Sequence, residues 1–278
     1  WQANYVREFL LNHNDNLEIV LVEIITTGDI QSSDNLSERN GKDSFVKEIE
    51  ESLLANKIDI AVHSYKDMPV LVPEGLEVIS TSNREDPRDV LISNSRKKIS
   101  EMNPLSTIGT GSLRRTEQIK ILRNDLEIIP IRGNVDTRIN KVLEGEYDGI
   151  VLANAGIKRL NLDNEVAEIF NTDVIVPSPL QGFLAIEARE DSDLIDLFEN
   201  FSSEESVLIS NYERQFLKDL NLGCDYPAGF CMEVTDNKFT FNYFLKGNRD
   251  VVKKSETFNY SDLSKQYSKM IDKLKPII

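Results

Sequence analysis

Twice in the middle of this chain an apolar, strand-like run passes through a glycine turn straight into a helix, and that unit limits the possible folds most. Thr107-Ile108-Gly109-Thr110-Gly111-Ser112-Leu113-Arg114-Arg115 is the first, and Ile131-Arg132-Gly133-Asn134-Val135-Asp136-Thr137-Arg138 is the second. Around them strand and helix take turns. The patterning predicts strands at Ile58 to His63, Leu76 to Ser80, near Ile108, Leu126 to Ile131 and Gly149 to Ala153, with helices at Phe45 to Leu54, from Ser112 and from about Asp136. Apolar strands alternating with helices imply an α/β fold with parallel sheets covered on both faces. An opening helix through Trp1, Val6, Phe9 and Leu10 leads into a strand-like run from Leu17 to Ile25, and residues 30 to 43 form a long polar loop.

Two proline-containing segments, residues 83–89 and Val176 to Gly182, read as crossings between lobes. They give a discontinuous first domain, 1–82 with 183–203, and an inserted second domain, 83–182. Two crossings of this kind describe a clamp that closes around a ligand. After a long helical stretch from Asp193 to Leu220, strand-like runs at Phe230 to Val234 and Phe239 to Leu245 and a terminal helix from Ser261 make residues 204–278 a small α+β third domain.

Charge narrows the partners. A net charge of −15 repels a polyphosphate, so no nucleic acid is expected, and no apolar run approaches the ~20 residues that span a bilayer, so no membrane either. Two histidines, His13 and His63, are too few for a His-based metal cluster or a Ser-His-Asp triad, and no metal is expected. Two cysteines, Cys224 and Cys231, fit a reducing compartment. The cytoplasm is the expected location, or a plastid-type organelle after removal of a transit peptide. The chain opens at Trp1 already in a helical pattern, which implies a segment upstream, removed or not included.

Within this acidic chain, residues 106–159 hold nine Lys or Arg against seven acids, a surplus of two that leaves −17 on the rest. Arg114, Arg115, Arg132, Arg138 and Arg159 stand at strand-to-helix corners, where helix N-termini favour anions and guanidinium groups grip carboxylates bidentately. The competing reading makes Arg114 and Arg115 solvated helix residues paired with nearby acids. No phosphate-loop string is present, and Gly109-Thr110-Gly111 lacks the third glycine of a dinucleotide fingerprint, so carboxylates are the better ligand class.

Ala61-Val62-His63-Ser64-Tyr65-Lys66-Asp67-Met68-Pro69 puts Asp67 just past a strand end. There it is either a turn former or a carboxylate able to stabilise positive charge and pass a proton. Leu222-Gly223-Cys224-Asp225-Tyr226-Pro227-Ala228-Gly229 is a loop carrying Cys224, which could be a small loop residue, a disulfide partner of Cys231 or a covalent attachment point. Cys231 reads as ordinary core.

HSYKD at 63–67, GSLRR at 111–115, IRGNVDTR at 131–138, AGIKRL at 155–160 and GCDYPAG at 223–229 stand in the order and spacing of hydroxymethylbilane synthase, the porphobilinogen deaminase family, which the chain resembles over nearly its whole length. TTGD at 26–29, NREDPRDVLIS at 83–93 and Gln181-Gly182 are similar to it too. The resemblance implies two lobes like those of periplasmic binding proteins, with mixed, mostly parallel sheets, plus a small α+β C-terminal domain. It implies an enzyme, acting as a monomer, that joins four porphobilinogen molecules head to tail with loss of ammonia and frees the linear tetrapyrrole by hydrolysis. One dipyrromethane cofactor per chain would be held covalently on Cys224, with Asp67 as the catalytic carboxylate. By motif position Ser64, Lys66, Ser112, Arg114, Arg115 and Arg132 would bind the cofactor, and Arg138, Arg159, Lys42 and Gln181 the substrate and growing chain. The family's upstream Arg-x-Ser-x-Leu-Ala segment precedes the point where this chain starts, Leu180 replaces a common glycine and Gly111 a common serine. Two rivals follow: a two-lobed binding protein for anionic solutes, and an inactive, N-terminally truncated homologue.

Overall fold

The structure, a computed structural model, describes residues 1–14, 16–26, 46–223 and 226–278. In chain order the elements are α1 (Gln2–His13), α2 (Lys47–Leu54), β1 (Ile60–Ser64), β2 (Leu76–Thr81), β3 (Asp89–Ser93), β4 (Thr107–Gly109), α3 (Leu113–Leu122), β5 (Glu127–Ile129), α4 (Val135–Leu143), β6 (Gly149–Ala153), α5 (Asn154–Arg159), β7 (Glu168–Ile169), β8 (Leu184–Arg189), α6 (Glu204–Asp219), β9 (Ala228–Thr235), β10 (Lys238–Lys246), β11 (Val251–Asn259) and α7 (Leu263–Leu274). Two compact units result, Trp1–Glu85 with Phe183–Asn211 and Asp86–Gly182 with Tyr212–Ile278.

The first unit holds a sheet ordered β1-β8-β2, antiparallel throughout. Val6 and Leu10 of α1 pack with Ile79, Ile186, Phe198 and Phe201 in one cluster, while Leu53 of α2 meets Ala61 and Leu76 in another. Each buried Val, Leu, Ile or Phe side chain among them contributes about 1.5–3 kcal/mol. The strand expected from Leu17 to Ile25 does not form a ladder. Leu17 and Ile19 join the α1 cluster, but Val20, Leu21, Val22 and Ile25 stay exposed, because an extended run becomes a strand only when a neighbour supplies hydrogen bonds and no described strand lies beside it. The expected helix from Asp193 to Leu220 is also interrupted. A 3-10 turn at Leu194–Phe198 ends before Ser203, whose hydroxyl accepts from the Ser206 amide at 3.2 Å and starts α6 afresh.

The second unit is built on a sheet ordered β5-β4-β6-β3-β7. Val90 and Ile92 of β3 face Ile131, Ile139 and Ile150, while Leu91 faces Ile99, Ile108 and Val151. With apolar clusters on both faces, the strand reads as a continuous apolar run. The α/β class is as expected, and the sheets are mixed. Among the described residues parallel pairing is confined to β4 with β5 and β4 with β6; β3 pairs antiparallel with β6 and β7. Parallel neighbours need a helical crossover, which α3 and α4 supply; β3 and β8 enter from irregular segments and pair antiparallel. The same unit contains the antiparallel meander β9-β10-β11, where Phe230 stacks on Phe216 of α6 at 4.6 Å and Phe241 meets Tyr267 of α7.

Candidate functional site

In the second unit the parallel strands β4, β5 and β6 end side by side, and each runs into a helix. The amide of Thr110 donates to the Ile129 carbonyl at 3.0 Å, and a Cβ on Gly111 would stand 3.2 Å from the Ile131 carbonyl oxygen, so the two glycine turns touch. Ser112 is the N-cap of α3, its hydroxyl accepting from the Arg115 amide at 3.5 Å. Helix starts that converge beyond the carboxyl ends of a sheet form a natural anion site.

Arg114 and Arg115 lie at this corner, yet neither is a solvated helix residue. They are 4% and 7% exposed and share one acid, Asp89, which is fully buried at the head of β3. Arg115 donates to Asp89 Oδ1 from Nη2 at 2.8 Å and from Nε at 3.2 Å, and from Nη1 to the Val151 carbonyl at 3.0 Å. Arg114 Nη1 donates to the Val176 carbonyl at 2.6 Å and lies 2.8 Å from Asp89 Oδ2, an ion-pair contact outside good hydrogen-bond alignment. Burial alone would raise the Asp89 carboxyl; the two guanidinium charges outweigh it and hold the group well below the usual carboxylate range. Gln181, 1% exposed, donates to Asp89 Oδ1 at 2.9 Å and to the Pro87 carbonyl at 2.6 Å.

The other three arginines divide, and Arg159, expected at a strand-to-helix corner, instead ends α5. Arg138 Nε donates to the Gly133 carbonyl at 2.6 Å, and Arg159 Nη2 to the Gly182 carbonyl at 3.2 Å. Arg132 is exposed and has no hydrogen-bond or ion-pair partner among the described residues. Leu180, between Arg159's acceptor and the Val176 carbonyl in sequence, has φ +65, a left-handed conformation that glycine would adopt without strain. Its amide is held by Glu213 Oε2 at 2.6 Å, while Glu213 Oε1 accepts from the Met232 amide of β9 at 2.9 Å.

In the first unit Asp67 closes a 3-10 turn, Tyr65–Asp67, directly after β1. The Tyr65 amide donates to the Phe183 carbonyl at 3.1 Å, and Met68 anchors the exit in the core. One residue before Ser64, buried His63 Nε2 meets buried Glu187 Oε2 at 2.9 Å and ties β1 to β8. Ser64 Oγ accepts from Gln2 at 2.8 Å, and Lys66 and Asp67 are half-buried. The structure thus groups Ser64, Lys66 and Asp67 in one unit and Ser112, Arg114, Arg115, Arg132, Arg138, Arg159 and Gln181 in the other.

Lys42 and Cys224 lie outside the described residues. The strand after the cysteine loop is placed, however. The Phe230 amide donates to the Pro177 carbonyl at 3.1 Å, and a Cβ on Gly229 would come within 2.8 Å of the Val176 carbonyl oxygen that also accepts from Arg114. Cys231 is fully buried in β9, as expected. Sequence reasoning missed Asp89 and Glu213. The signal was available for Asp89, since an acid opening a strand buried on both faces must have a cationic partner.

Residues 1–196 match the family described as porphobilinogen deaminase, dipyromethane cofactor binding domain. The porphobilinogen deaminase of Campylobacter concisus is 40% identical over 87% of this chain and 79% of that protein. Those of Sulfurimonas denitrificans and Natranaerobius thermophilus are 42% and 40% identical, covering 85% and 95% of this chain and 76% and 86% of their own. Among solved structures, the VFT2 domain of Bordetella pertussis BvgS aligns with a TM-score of 0.43 at 11% identity, over 76% of this chain and 82% of that one.

Proposed function

Because the chain belongs to the porphobilinogen deaminase family, it is a transferase of tetrapyrrole biosynthesis with a dipyrromethane-binding domain, and we propose how its residues divide the work. Four porphobilinogen molecules are joined head to tail. At each addition a carbon–carbon bond forms at the substrate's aminomethyl carbon, the carbon–nitrogen bond breaks, and the ring proton leaves with ammonia; water then releases the linear product.

The observation that carries the assignment is the pair Arg114 and Arg115 on one buried carboxylate. A guanidinium has five N–H donors. Arg115 commits Nε and one N–H from each Nη, and Arg114 commits Nη1, which leaves its Nε and Nη2 without partners among the described residues. Oriented donors at converging helix starts fit the carboxylate side chains that each pyrrole unit carries. The same donors fit the dipyrromethane group, which when bound supplies the pyrrole carbon that accepts the first substrate. Cys224 is proposed as its covalent anchor, with Ser64, Lys66, Ser112, Arg114, Arg115 and Arg132 holding its carboxylates. Arg138, Arg159 and Lys42 are proposed to hold substrate and growing chain, with Gln181 assisting from behind the guanidinium pair.

Asp67 is proposed as the catalytic carboxylate. Loss of ammonia from the substrate would leave an electron-deficient azafulvenium, and a ring that accepts it would carry positive charge until its proton leaves. A fixed carboxylate stabilises both and carries the proton to the leaving amine. The turn that holds Asp67, pinned by the Phe183 carbonyl and by Met68, suits this role because it limits reorganisation during the reaction. The proposed organisation keeps three domains, 1–82 with 183–203, 83–182 and 204–278, in a cytoplasmic monomer with neither nucleic-acid nor membrane partners.

Expression in a porphobilinogen-producing cell followed by intact-mass measurement tests the tether. Wild type is expected to carry the mass of two linked pyrrole units and Cys224→Ser to lack it; an unchanged adduct would move the anchor, with Cys231 next in line. Asp67→Asn is expected to lower turnover by about 10²–10⁴-fold with an unchanged melting temperature, the scale of a lost acid–base group. Full activity in that variant overturns the assignment.

A further inference from the structure

We propose that Asp89 is a positioning residue for the reaction: with Gln181 behind it, its carboxylate fixes the planes of Arg114 and Arg115 so that their remaining donors point at the substrate's carboxylates. The inference rests on the reading of those arginines given above. Two guanidinium groups buried at neighbouring positions repel each other and, without a shared anion, would turn apart toward water. Asp89 prevents that from a rigid base, since every residue of β3 is buried and the strand is paired on both sides, to β6 and β7. The arginines belong to α3, but through Asp89 their planes are referenced to the sheet.

Gln181 completes the device. Its amide bridges Asp89 Oδ1 and the Pro87 carbonyl, so the carboxylate cannot rotate without losing a buried bond. Gln181 itself sits in the turn that Glu213 holds through the Leu180 amide. The grip is uneven. Arg115 is fixed through Nε and Nη2, whereas Arg114 meets Oδ2 off alignment and relies on the Val176 carbonyl. Arg114 is therefore the group most dependent on the charge of Asp89, and Arg115 the one most dependent on its geometry.

Charge and position predict opposite signs, which makes the role testable. Removing an anion beside two cations would by itself tighten carboxylate binding and lower the KM for porphobilinogen; releasing the planes would raise it. Asp89→Asn is expected to raise KM about tenfold, with a smaller effect on kcat, and to lower the fraction of chains carrying the covalent adduct. Gln181→Leu, which keeps all three charges, is expected to shift both in the same direction by less. A lower melting temperature with wild-type KM and adduct fraction would make Asp89 merely structural, and a fall in KM would make it only a charge diluter; either overturns the proposal. Should Asp89→Asn fail to fold, the same two readouts on Gln181→Leu decide. Arg114→Lys and Arg115→Lys separate the two levels: if they leave KM and adduct unchanged, the underlying reading of the arginines fails, whereas if they raise KM and Asp89→Asn does not, only the present proposal fails.

Discussion

A carboxylate without exposed surface stays ionised only where cations outweigh the loss of water, and for Asp89 those cations are Arg114 and Arg115 of α3, with neutral Gln181 on its other side. A group whose carboxyl is held below its unfolded value contributes stability that is complete above that unfolded value, ~4, and lost as pH falls below it toward the folded one. The stability difference between wild type and Asp89→Asn should therefore be flat near neutrality and shrink steadily below about pH 4. Denaturant titrations across the acid range check this; a difference that does not change with pH would mean that Asp89 is not the anion that the arginines require. At this scale the site was half legible. The arginines could be read from their places at strand-to-helix corners, because local spacing fixes such corners. Their acid could not, since 26 residues separate Asp89 from Arg115 and 92 separate it from Gln181.

At the scale of elements the same distinction between local and distant information applies. Both glycine-turn units became strand, turn and helix, because their periodicity and caps are local: Ser112 caps α3 and Asn134 precedes α4. The antiparallel returns of β3 and β8 were not legible. Their partners are brought in from far along the chain, as in Ser64 opposite Leu184, and short apolar runs look alike in either direction. The extended run 17–25 failed for the complementary reason, apolar content without an adjacent ladder. β9 shows what a close approach demands. A methyl on Gly229 would meet backbone oxygens of Val176 and Pro177 at 2.8 and 2.9 Å, and backbone cannot step aside as a side chain can. Gly229→Ala should lower stability by about 1–3 kcal/mol, the range of overpacked sites. Because the displaced carbonyl is the Arg114 acceptor, KM should rise as well. Urea midpoints and kinetics on the same preparation test both, and an unchanged midpoint would show that β9 is free to shift.

Over the whole molecule the question is how a chain of net charge −15 takes up a substrate that is itself anionic. The surplus positive charge of residues 106–159 is two, and part of it is already neutralised where Asp89 serves both Arg114 and Arg115. Seen from a distance, a chain of this net charge repels porphobilinogen, and on the proposed reading the arginines prevail only at close range. Salt separates these ranges, because the screening length contracts from ~30 Å at 0.01 M to ~10 Å at 0.1 M and removes the far field first. Buried pairs are screened much less, so the grip on a bound carboxylate should persist. Raising ionic strength across that interval is thus expected to increase kcat/KM, opposite in sign to the behaviour of an enzyme whose surface steers its substrate inward. Kinetics in sodium chloride at constant pH measure it directly. A monotonic fall would mean that the arginine field dominates even at long range, and the acidic remainder of the chain would then have no part in substrate capture.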